Sequence, residues 1–166
     1  MSNSLGPVGS LNAVLDASET ENAEIGLKWA ISDELFLTAA YFDAERTTEQ
    51  HAAEIRRMID KWDLDYIYID SAAQQTRFDF AQNYDISTVN AKKSLLDGIG
   101  HVAGVVDNDR LMVDQKCQEV LLSLDQYQWD PNPNLMKEKP KHNRASHMAD
   151  AIRYALYSFE TSMTGF

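Results

Sequence analysis

The hexapeptide Asp-Tyr-Ile-Tyr-Ile-Asp, residues Asp65 to Asp70, is short, rich in β-branched and aromatic side chains, and bounded by acids, so it reads as a strand that ends on a carboxylate. After it, Ala73 to Asn83 reads as a helix and Ile86 to Ala91 as another strand, and strand, helix, strand implies a parallel crossover. A helix from Ser94 to Val106, a short strand at Arg110 to Val113 and a helix from Gln115 to Tyr127 extend the alternation. A loop of Pro, Asn and Lys (Asp130 to Asn143) then leads into a last helix, Ala145 to Met163. Before the hexapeptide, Thr48 to Trp62 sets Ala52, Ile55, Met58, Ile59 and Trp62 at helical spacing, with Glu49, Glu54, Arg56 and Lys61 between them. Earlier still, Leu11 to Asp16, Ala23 to Ile31 and Leu35 to Phe42 are three β-prone runs separated by polar turns, an antiparallel meander. The expected fold is therefore α/β: a mixed sheet, a three-strand antiparallel meander followed by parallel strands, flanked by helices. Residues 1–10 (MSNSLGPVGS) are small, polar and without period, a flexible linker or an appended remnant, which leaves 11–166 as the domain.

Composition bounds the function. The 166 residues suit one compact domain, and 44% hydrophobic with 25% charged residues is ordinary for a globular chain. Cys117 is the only cysteine, so neither an internal disulfide nor a thiolate metal cage is available, and a reducing compartment fits. No apolar run approaches the ~18 residues of a membrane span and no signal pattern opens the chain, so a cytoplasmic location is expected. Twenty-six acids against 15 Lys plus Arg give a net charge of −11, which counts against tight autonomous DNA binding. It does not count against metal chemistry, because carboxylates that await divalent cations add negative charge.

The acids with the most informative positions are Asp16, Asp70 and Asp150. Asp16 closes Leu-Asn-Ala-Val-Leu-Asp and Asp70 closes the hexapeptide. With the first and fourth strands side by side, acids at their carboxyl ends project into the crevice where ligands of open α/β sheets collect, and they repel unless a cation lies between them. On the last helix, His147, Asp150 and Tyr154 form one stripe, roughly opposite Met148, Ile152, Ala155 and Phe159; His147 and Asp150 are neighbours at i, i+3. Whether the His/Asp stripe faces the crevice or water is open at this level. Hard oxygen ligands suit magnesium or manganese, and two such ions can activate a water and stabilise the leaving oxygen of a phosphodiester.

Taken together, four segments resemble the C-terminal nuclease domains of tailed-phage large terminases, of the RNase H-like superfamily: Asp16 after the first strand, Tyr68 to Ala72 (Tyr-Ile-Asp-Ser-Ala) after the fourth, Asn90 to Ser94 (Asn-Ala-Lys-Lys-Ser) before a helix, and His147-x-x-Asp150-Ala-x-Arg153-Tyr154. The resemblance runs from Leu11 to Phe159. It implies a metal-dependent endodeoxyribonuclease that cuts concatemeric viral DNA during packaging in the cytoplasm of an infected bacterium. It also implies that Asp16, Asp70 and Asp150 hold two divalent ions, Mg2+ or Mn2+. His147 would lie beside them, with three roles open: orienting a carboxylate, binding metal or assisting proton transfer. Lys92 or Lys93 would meet the DNA backbone or the scissile phosphate. Implied partners are double-stranded DNA, the terminase ATPase domain, the small terminase subunit and the portal protein.

Two features depart from the family pattern. Ala17 to Asn22 (Ala-Ser-Glu-Thr-Glu-Asn) stands where a Gly-rich turn is common, and no Gly-x4-Gly-Lys-Ser/Thr phosphate loop of a motor occurs in the sequence. If other components hold the DNA, a local basic rim is enough, and Lys137, Lys139, Lys141, His142 and Arg144 before the last helix form one. The alternatives are another RNase H-like nuclease, of the resolvase or RNase H type, a non-catalytic interaction module of the same fold, and an acidic protein that imitates DNA.

Overall fold

The computed structural model describes residues 10–15, 21–29, 35–44, 46–132 and 138–163. The elements are β1 (Ser10–Leu15), β2 (Glu21–Trp29), β3 (Leu35–Ala44), α1 (Thr48–Trp62), β4 (Tyr66–Ile69), α2 (Gln74–Tyr84), β5 (Val89–Asn90), α3 (Leu95–Asp107), β6 (Leu111–Val113), α4 (Gln118–Gln126) and α5 (Arg144–Met163). Their order is the one expected. The spans that differ most are β5, with two residues where Ile86 to Ala91 was expected, α4, which starts three residues late, and β2, which lies two residues before the expected Ala23 to Ile31; β1 opens at Ser10, inside the segment read as linker. Ile86 is instead a core residue of the α2–β5 connection, its N–H bonded to the Phe80 carbonyl at 2.9 Å.

The strands form one sheet in the order β5-β4-β1-β2-β3-β6. β1, β2 and β3 pair antiparallel, β1–β4 and β4–β5 parallel, and β6 runs parallel to β3 at the far edge. α3 therefore carries the chain across the sheet, so that β6 does not extend the β4–β5 side.

β4 explains how the sheet is covered. Its side chains alternate between faces: Ile67 and Ile69 join Ala52 and Ile55 of α1 and Phe80 of α2, whereas Tyr68 joins Val105 of α3, Val120 of α4 and Ile152, Ala155 and Leu156 of α5. A strand covered on both faces needs no polar alternation, which is why Tyr-Ile-Tyr-Ile shows none. α1 begins on a capping box in which Thr47 Oγ1 accepts from the Gln50 N–H while Gln50 Oε1 accepts from the Thr47 N–H. Asp63 and Asp85 end α1 and α2 in the left-handed region (φ 50° and 51°), which a short polar side chain tolerates better than most.

α5 is the axis of the molecule. One flank packs on β1, β2 and β4 and the other on α3 and α4. From Ala145 to Phe159 only Asp150 and Tyr157 are less than fully buried. The two opposite stripes expected from its sequence thus both face protein, because helices cover the side away from the sheet. Its first turn closes reciprocally: Asn143 Oδ1 accepts from the Ser146 N–H at 3.0 Å, and Ser146 Oγ accepts from the Asn143 N–H at 3.1 Å.

Candidate active site

The parallel pairing of β1 and β4 sets the site. Leu15 pairs with Ile69, so the residues that follow them in sequence are Asp16 and Asp70. Asp16 itself lies outside the described residues, as do Glu19 and Lys137.

Asp70 sits at the carboxyl end of β4, 8% exposed. Its Oδ1 accepts from the Ala72 N–H at 2.7 Å, an Asx turn that swings the chain from strand towards α2, and the Ala73 N–H closes on the Asp70 carbonyl at 2.9 Å. The same Oδ1 lies 2.7 Å from Lys93 Nζ, and Oδ2 accepts from the Tyr154 hydroxyl at 3.0 Å. Burial pushes the Asp70 carboxyl up, but the Ala72 amide, Lys93 and Tyr154 outweigh it and hold the group below its ordinary value, so it is an anion.

Asp150 is one turn nearer the start of α5 than Tyr154. Arg153 donates to its Oδ1 through both Nε (3.1 Å) and Nη2 (2.9 Å). Burial is the first cause that raises the Tyr154 phenol well above its usual range; the Asp70 charge adds to it and the Asp150 charge acts in the same sense. The phenol of Tyr127, in the α4–α5 connection, is pushed up to about 12 by burial and then by the Asp150 charge. Asp70, 80 positions from Asp150 in sequence, thus bonds a phenol that stands one helical turn beyond Asp150.

The remaining expected residues separate. Lys93 is in the site. Lys92 is not: its ammonium bonds the Thr161 carbonyl (3.1 Å) and hydroxyl (2.8 Å) in the last turn of α5, where a cation meets the negative end of the helix, and its N–H bonds Ser158 Oγ. His147 is buried, its ring edge-on to His142 with centroids 4.7 Å apart. Arg144 pairs with Glu119 at 3.2 Å. Lys139 and Lys141 are exposed on a loop pinched by an antiparallel bridge between Trp129 and Pro140. Arg153, Tyr154 and Ser94 stand in the segments singled out from the sequence without a role, and Gly98 is new: Ser94 and Gly98 contact Arg153, and nothing in a helix sequence signals which neighbour will lie across from it.

Among the described residues, no three His, Cys, Asp or Glu side chains come close enough to form a metal cage. The donors present nevertheless fit a hard divalent cation. Asp70 is ionised, Asp150 is within electrostatic reach of the same phenol, and the Lys93 ammonium already rests on Asp70 as a stand-in positive charge.

The chain is similar to known proteins over most of its length. The pattern of the family described as Terminase RNaseH-like domain matches residues 16–159. The large terminase subunit of Escherichia phage T5 is 39% identical over 130 residues, 76% of this chain and 30% of that protein, so the chain spans under a third of that relative's length. The large terminase nuclease domain of phage P22 superposes with a TM-score of 0.72 at 16% identity, covering 93% of this chain and 82% of that one. The large terminase nuclease domain of bacteriophage SPP1, solved with bound Mn, superposes with a TM-score of 0.68 at 15% identity, covering 96% and 89%.

Proposed function

The chain belongs to the terminase RNase H-like domain family, and from that premise we propose that it is a metal-dependent DNA endonuclease that cuts concatemeric viral DNA during genome packaging. One observation carries the reading: adjacent residues of α5, Arg153 and Tyr154, bond Asp150 and Asp70 respectively, beside the β1–β4 pair that leads to Asp16. A structural acid needs one partner, whereas acids gathered from separate elements suit a shared cation.

In this reading Asp16, Asp70 and Asp150 hold two divalent ions, Mg2+ or Mn2+. When bound, such ions supply a water of lowered pKa and offset charge on the leaving oxygen of the phosphodiester. The SPP1 domain with bound Mn supports the choice of ion. The chain's own residues supply the rest. Lys93, 43% exposed on a flexible stem, can leave Asp70 and meet a DNA phosphate. His147, buried one turn from Asp150, suits orienting or binding better than exchanging protons with solvent. Lys139, Lys141 and Arg144 offer a rim for the backbone, with Arg144 first released from Glu119.

The net charge of −11 favours a domain that meets DNA held by other components. We assign that holding to the ATPase domain, small subunit and portal, in the cytoplasm of the infected bacterium. The share of the T5 protein that is matched leaves room for a motor. No described helix is long and apolar enough to cross a membrane.

Plasmid cleavage in manganese, magnesium or EDTA tests the proposal. Nicking and linearisation are expected with either metal and not with EDTA. Asp16→Ala, Asp70→Ala and Asp150→Ala are each expected to abolish cutting in a folded chain; activity that survives two of these substitutions singly overturns the site.

A further inference from the structure

Arg153 and Tyr154 close the His147-x-x-Asp150-Ala-x-Arg153-Tyr154 segment, and the hydrolytic reading gives them no part. Both are buried. The Tyr154 hydroxyl donates to Asp70 Oδ2 at 3.0 Å. The Arg153 guanidinium donates twice to Asp150 Oδ1, reaches the Ser94 carbonyl through Nη1 at 3.4 Å, and lies over the Tyr154 ring with Cζ 4.5 Å from its centroid. One stacked pair of adjacent residues thus touches both carboxylates.

We infer that Arg153 and Tyr154 are a positioning pair, which holds the Asp70 and Asp150 carboxylates in a fixed mutual arrangement for the metal ions. The inference rests on the metal-dependent reading above and adds residues to it.

Three physical points support this role. Carboxylates that share a cation repel one another when it is absent, and Arg153, charged at any accessible pH, offsets Asp150 from a protein-covered position that solvent cannot replace. Arg153 lines a largely apolar cavity of about 290 Å3 together with Val102, Leu124, Tyr127, Ala149 and the acid Asp107, yet is itself only 4% exposed, and a pair covered to that degree is screened less than one in open water. Buried ion pairs are poor sources of stability compared with apolar packing, so a helix that only had to pack would gain nothing from this one.

The stem of Arg153 is fixed as closely as its head. It crosses Gly98 of α3, where a Cβ would lie 2.8 Å from Arg153 Cγ and 2.9 Å from Cδ. Any side chain at residue 98 must displace the arginine. Without that contact, Gly98→Ala would favour a mid-helix position.

Calorimetric titration of the full chain with manganese, without DNA, tests the role, with thermal melting of the metal-free protein in parallel. Tyr154→Phe keeps the ring and loses the donor to Asp70; Arg153→Lys keeps the charge and loses the double contact; Gly98→Ala removes no polar group. Tyr154→Phe and Arg153→Lys are expected to weaken manganese binding by about 10-fold or more, and Gly98→Ala by on the order of 3- to 10-fold, as for partners that orient metal ligands. Glu160→Gln, elsewhere on α5, is expected to leave binding unchanged. Wild-type affinity in Tyr154→Phe and Gly98→Ala overturns the positioning role while leaving the metal site standing. A wild-type chain that binds no manganese overturns both readings. Should Arg153→Lys fail to fold, the other two variants decide.

Discussion

α5 carries two partly buried carboxylate clusters, one near each end, and they are built differently. Towards its C-terminal end, Glu160 Oε1 accepts from Arg110 at 2.7 Å, and His101 Nε2 stands 2.8 Å from Oε2 outside hydrogen-bond geometry. Each oxygen of one acid meets a basic group, and the three residues tie α5 to α3 and to the turn before β6. In its first half, Asp150 and Asp70 come from different elements and are bonded by the adjacent Arg153 and Tyr154, and the cation on Asp70 is a lysine with a substantially exposed stem. Burial and ion pairing are common to both clusters and so do not mark function. What sets the Asp70 and Asp150 cluster apart is that acids of two separate elements are held by one adjacent residue pair, with an exchangeable cation on one of them.

Substitution should separate the two ends most sharply. Asp70→Ala and Asp150→Ala are expected to reduce plasmid cleavage below detection, whereas Glu160→Gln keeps it within about twofold and lowers stability by about 1–2 kcal/mol, the scale of a partly exposed charged hydrogen bond. Equal loss of cutting at both ends would erase the distinction.

Metal should distinguish them next. Manganese at about 100 times its dissociation constant adds about 2.7 kcal/mol of stability to a protein that binds it only when folded. Differential scanning fluorimetry should show this gain in wild type and Glu160→Gln but not in Asp70→Asn, and EDTA should remove it.

Acid gives a smaller contrast. The Asp70 carboxyl is held below its ordinary value in the folded chain, so its contribution is fully present above the unfolded value and is lost as pH falls through the lower folded one. Chemical denaturation in metal-free buffer across the acid range should therefore show a steeper loss of stability in wild type than in Asp70→Asn. The two slopes coinciding would mean that Lys93, Tyr154 and the Ala72 amide do not favour the anion.

The smallest effect expected is at Lys92 and Lys93, adjacent residues with different destinations. Lys93→Ala should lower cleavage at limiting DNA and reduce its salt dependence, as the loss of one phosphate contact does. Lys92→Ala should only loosen the end of α5, by about 0.3–1 kcal/mol.

Much of this was legible from local chemistry. Thr48–Trp62 was readable as α1 to the residue because its apolar spacing and the Thr47/Gln50 box are local signals. The meander, the parallel crossover and the positions of Asp70 and Asp150 followed from strand ends and helical period. β5 was overestimated because Ile86 and Ser87 look β-prone, yet Ile86 is buried against Phe80 outside any strand. The orientation of α5 was not legible, since a helix covered on both flanks buries polar and apolar stripes alike.

The sequence alone determined the order of elements, the acids near strand ends and the spacing of His147 and Asp150, because each depends on neighbours within a few residues. Only the tertiary structure decided that Tyr154 meets Asp70, that Lys93 and not Lys92 reaches Asp70, and that Arg153 crosses Gly98. Those contacts join residues as many as 84 positions apart, and packing, which has no local signature, brings them together.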